Sequence, residues 1–210
     1  MSSPDPRPRS LATFLLGLAL IGALVALPFV VPPDGREHAA LAQFFGRFHP
    51  LLVHAPIAFL LLVPLLEVAG LLHPWAHLRA TAGLVLGLAA LGALAATAAG
   101  WLLAWSGGRQ GEIVTRHMWG GIALSASCLV LIWLRTAYVA REGFLSRILY
   151  LPLLVGTIGL MTWTSYQGTA LTHGEGFLTR HMPAGMRTFF GVPPEPVPEK
   201  KPDDAVKPTT

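Results

Sequence analysis

Five apolar stretches dominate the chain, residues 11–31, 51–72, 80–105, 118–137 and 148–163, and among them only Glu67 and Arg135 carry charge. A bilayer-crossing helix takes about 20 mainly apolar residues. Inside hydrocarbon a backbone amide finds no water, so each stretch must close its hydrogen bonds within itself. The expected fold is therefore all-α: an integral membrane helical bundle with five transmembrane helices, the first an anchor and the other four a core. Composition agrees with this. Only 12% of the 210 residues are charged, against about 25% in soluble domains.

The first stretch is longer than the apolar core of about 7–15 residues in a signal peptide, and it runs into "PPDGREH" with no small-residue cleavage site. It is expected to remain as an anchor. Residues 1–43 then form anchor and linker, 44–191 the membrane domain, and 192–210, "VPPEPVPEKKPDDAVKPTT", a disordered Pro-rich tail. Ahead of the tail, Phe177, Leu178, Met182, Met186, Phe189 and Phe190 suit a short interfacial helix after the last span.

Several functions are set aside by composition. The net charge of +4 is scattered over loops and termini, with no basic patch interleaved with aromatics, so the expected partner is the lipid bilayer and not nucleic acid. The single cysteine, Cys128, excludes an internal disulfide and a CxxCH attachment for c-type haem. No nucleophile–base constellation, phosphate-cradling loop or paired carboxylates stand out, so no enzymatic activity is expected.

An odd number of crossings sorts the histidines. The start of the second span, the end of the third, the start of the fourth and the end of the fifth share one side of the bilayer. That side collects His38, His49, His54, His117, His173 and His181, leaving only His73 and His77 opposite. Arg7 and Arg9 before the first span and the basic loop after the fourth favour an inside N-terminus and an outside C-terminus. The histidines then lie near the outer leaflet of a bacterial cytoplasmic membrane.

His49 precedes Pro50, which suits a first helical position, and His54 lies five residues on. Five residues turn a helix through about 500°, so the two rings cannot share a face. Gly120 and Gly121 follow His117 at the two positions beside it on a helix surface and are expected to leave it room. Gly83 with Gly87, and Ala96 with Gly100, read as helix-packing faces. Glu67 and Arg135 lie near the inner ends of their spans, where snorkelling to water is expected.

Four segments in this order, "GRFHPLLVHAPIAFLL", "GWLLAWSGG", "RHMWGG" and "LTHGEGFLTRHMP", resemble a family of bacterial polytopic membrane proteins built on a domain of unknown function. Planctomycete-type members often precede a cytochrome c module. The resemblance covers about residues 44 to 191. It implies that His49, His54, His117 and His173 occupy the family's histidine positions and that Tyr166 stands where such proteins tend to carry a further histidine. It also implies that an electron partner, such as a periplasmic cytochrome c or another membrane subunit, would be a separate chain.

Three readings fit these residues. The first is a b-type haem electron-transfer module, with His54 and His117 as the preferred iron ligands, His173 in reserve and His49 nearby. The second is a non-redox membrane scaffold with a hydrogen-bonded His and aromatic cap. The third is a zinc or copper site drawn from His49, His54, His117 and His173.

Overall fold

The computed structural model describes residues 11–75, 77–140 and 144–193. All but the first two residues of the expected tail lie outside them. Eight α-helices follow in order: α1 (Leu11–Val30), α2 (Ala40–Gly46), α3 (His49–Leu52), α4 (His54–Ala69), α5 (Leu78–Ser106), α6 (Glu112–Val139), α7 (Phe144–His173) and α8 (Ala184–Phe190). No strand occurs among the described residues; Glu37 and Gly107 form one isolated bridge. The chain is an all-α membrane bundle, as its apolar stretches require.

Four helical runs are long and apolar enough to cross a membrane: Ala40–Ala69, Leu78–Ser106, Glu112–Val139 and Phe144–His173. The shorter α1, 20 residues long, lies against α6, with Phe14 on Trp133 at 4.9 Å between ring centroids and Phe29 near Trp119 at 5.6 Å. Each long run extends past its apolar stretch. The first of the four begins at Ala40 because α2, α3 and α4 follow one another with only short breaks, at Arg47–Phe48 and at Val53. The last continues ten residues beyond Trp163, since the polar Thr164 and Gln167 are buried against the bundle.

α5 is the central element, packed against α2, α3, α4 and α6, while α7 packs mainly on α6. Its buried face is largely alanine: Ala82, Ala89, Ala90, Ala93, Ala96 and Ala99. Small side chains let backbones approach closely, which drives helix association where lipid offers no hydrophobic gain. Leu60, Val63, Leu86, Cys128, Leu131 and Leu154 fill the core between the helices. Larger apolar residues such as Leu65, Leu84, Leu91 and Val155 point outward, as lipid contact favours. Gly108 and Gly111, with φ of 63° and 124°, make the tight reversal from α5 to α6; a side chain there would strain the backbone.

The segment after α1 is pinned to this reversal. His38 N–H donates to the Ser106 carbonyl at 2.9 Å, Trp101 Nε1–H to Val31 at 3.3 Å and Gln110 Nε2–H to Pro33 at 3.2 Å. The His38 ring stacks on Trp105, and Trp105 on Trp101. Asp34 bonds the Arg36 amide and the His38 ring, contacts that hold its carboxyl below the usual range. The expected interfacial helix is present as a 3₁₀ turn, Phe177–Thr179, and α8. Arg187 ties the two together by donating to the carbonyls of Thr179, Arg180 and Met182.

Candidate functional site

Two of the expected histidines meet. His49, on α3, and His117, on α6, approach with Nε2 atoms 3.4 Å apart and rings nearly perpendicular, at 83°. Both are half-buried. Each is held from behind by a backbone carbonyl of another helix: His49 Nδ1 lies 2.8 Å from the Ala96 oxygen of α5, and His117 Nδ1 lies 2.9 Å from the Thr164 oxygen of α7. The pair therefore joins four elements. Ala96 is ten residues before the end of α5, so the pair lies about 15 Å inside that end.

Those carbonyls decide the protons. A carbonyl oxygen only accepts, so both Nδ1 atoms donate. A neutral imidazole has one N–H, which leaves both Nε2 atoms with bare lone pairs aimed at each other. That contact is unfavourable unless something electrophilic lies between: one extra proton or a metal ion.

Glycines make the space, though not the expected ones. A Cβ on Gly100 would lie 2.8 Å from His49 Cε1 and Nδ1, and one on Gly168 would lie 2.8 Å from His117 Cε1. Gly120 and Gly121 instead face Thr164 and Thr97. Successive positions on a helix point in different directions, and α6 turns these two toward α7 and α5 while the His117 ring reaches the turn of α7 around Gly168. Next to the site, Thr164 Oγ1 is buried and has no hydrogen-bond partner.

The other two expected site residues lie apart from this contact. His54 is exposed, and its Nδ1 is 3.2 Å from the Leu51 oxygen within its own helical run. His173 is exposed at the end of α7, stacked on Phe177. Tyr166, also on α7, is 40% exposed. Of the four expected histidines, the structure brings His49 to His117 and leaves His54 and His173 away from that contact. Among the described residues, no group of three or more His, Cys, Asp or Glu side chains could hold a metal ion.

A second polar centre occupies the opposite end. Arg135 Nε donates to Glu67 Oε1 at 2.7 Å, and the Tyr150 hydroxyl donates to the same oxygen at 2.9 Å. Arg135 also donates to the Arg79 carbonyl, and its guanidinium occupies the space that a Cβ on Gly83 would take. Glu67 and Arg135 are 6% and 8% exposed. The expected snorkelling does not occur; the two charges satisfy each other across α4 and α6. Their partner Tyr150 escapes a sequence reading because nothing in "RILYLPLL" marks its hydroxyl as inward.

A family model described as predicted membrane protein (DUF2231) matches residues 47–180. No curated protein and no solved structure matches.

Proposed function

The chain belongs to the DUF2231 family of predicted membrane proteins, and from that premise we propose that this integral membrane protein is a module built around a transition-metal site ligated by His49 and His117. The observation carrying this reading is the pair of opposed Nε2 lone pairs at 3.4 Å, each ring anchored through Nδ1 to a carbonyl. Metal-binding histidines generally donate their second nitrogen to such a carbonyl or carboxylate, which sets the tautomer and ring direction. Two bonds of about 2.0–2.1 Å at a tetrahedral angle hold their nitrogens about 3.4 Å apart. Imidazole suits zinc, copper, iron and nickel.

With two protein ligands, such a site keeps open positions for water or a small ligand, unlike a closed structural zinc centre. Haem iron is a second occupant for the same pair. His49 and His117 would be its ligands, but with their Nε2 atoms 3.4 Å apart they would first need to part. In either case a redox metal would make the module an electron carrier, with a separate chain as its partner.

The test is metal content and spectroscopy on the purified protein in detergent. One zinc, copper or cobalt ion per chain is expected, with cobalt(II) giving visible bands of low coordination number. His49→Ala and His117→Ala should each abolish binding, whereas His54→Ala and His173→Ala retain it. A Soret band lost in the same two variants would assign the pair to haem iron. A colourless, metal-free protein that also takes up no added ion would leave the scaffold reading in place.

A further inference from the structure

We propose that Arg79, at the end of the bundle remote from the His49–His117 pair, binds a phosphate oxyanion, either that of an anionic phospholipid headgroup or free phosphate. The charge count leads there. One carboxylate, Glu67, faces two guanidinium groups, and its Oε1 already accepts from Arg135 and Tyr150. Only Oε2 remains for Arg79, whose Nε stands 3.7 Å away, outside hydrogen-bond range. Arg79 Nε is buried and has no hydrogen-bond partner. Of the five N–H donors of this guanidinium, none donates to a described residue. The centre carries one surplus positive charge and an unused set of forked donors.

The side chain is also positioned. A Cβ on Gly70 would collide with Arg79 Cγ, so the stem runs across that glycine. The guanidinium carbon sits 5.6 Å from the centroid of the Tyr138 ring, and Tyr138 in turn stacks on Tyr150 at 5.0 Å. About a third of the side chain, 35%, stays exposed. Arg79 is the second residue of α5, a 29-residue helix with no side-chain cap at its start. The Ala80 amide in that first turn is already bonded to the His77 carbonyl, so the anion is left to the guanidinium, whose fork matches phosphate oxygens. Around the site, Leu71, Leu72 and Trp75 are exposed apolar residues of the kind that meet acyl chains.

The experiment compares retention of phosphatidylglycerol and phosphatidylcholine by the full chain in neutral detergent, using native mass spectrometry and thermal unfolding. One arginine near a membrane surface is expected to favour the anionic lipid about fivefold. Arg79→Gln should bring that ratio close to one. Arg79→Lys, which keeps the charge but loses the fork, should leave an intermediate ratio. Inorganic phosphate is the second arm. A thermal shift with phosphate in wild type but not in Arg79→Gln, without a preference for phosphatidylglycerol, identifies free phosphate as the source. Absence of any response to either probe in wild type overturns the proposal. So does a preference that survives intact in folded Arg79→Gln, or, should that variant not fold, one undiminished in Arg79→Lys.

Discussion

His49 and His117 show how much a single side chain depends on its neighbours two helices away. Each ring is clamped between a carbonyl behind and a glycine beside it, so neither can rotate without giving up its Nδ1 hydrogen bond. Gly100→Ala and Gly168→Ala are therefore expected to act on the site: the new methyl would lie 2.8 Å from ring atoms. Each should destabilise the protein by about 1–3 kcal/mol, the usual cost of overpacking, and weaken metal binding; unfolding in detergent and cobalt titration measure the two effects. Glu67 makes the complementary case. Glu67→Gln leaves the nearly buried Arg135 uncompensated and is expected to cost about 3–5 kcal/mol. Tyr150→Phe removes one hydrogen bond to a charged group and should cost about 1.5–3 kcal/mol. If Glu67→Gln proved the milder of the two in equilibrium unfolding, the pairing of Glu67 with Arg135 would not be what holds this end together.

Helices, as elements, were the most legible part of the chain. Every apolar stretch became a helix, since the bilayer allows little else. The helix ends were less legible, and the candidate site suffered for it. Hydropathy marks where lipid contact stops, not where the helix stops, and α2 and the last third of α7 carry polar or small residues on inward faces. His49 consequently read as a residue at the mouth of a span, when a helical run with two short breaks begins nine residues before it, at Ala40. The alanine face of α5 has its own consequence. Ala93→Leu, at a position 2% exposed, should push apart the helices that meet there and cost more than about 1 kcal/mol. Leu91→Ala, at 64% exposed two residues away, should be close to neutral. Thermal unfolding of the two variants in the same detergent compares them.

Across the whole molecule, the polar chemistry is divided between two ends, with an apolar core between them. The histidine pair joins α3, α5, α6 and α7 near one end, while Glu67, Arg135 and Tyr150 tie α4, α6 and α7 near the other. Each centre supplies hydrogen bonds to groups that would be costly alone in hydrocarbon. The segment after α1, pinned through Trp101, Trp105 and His38, closes the end nearer the histidines. Membrane residence and the all-α class followed from the sequence alone, because length and hydropathy are properties of a chain read in one dimension. Which two imidazoles face each other, which glycines make room for them and which arginine stands beyond hydrogen-bond range of Glu67 followed only from the tertiary structure. Those depend on helix rotation and on contacts between residues 47 to 83 positions apart, for which a lone sequence carries no signal.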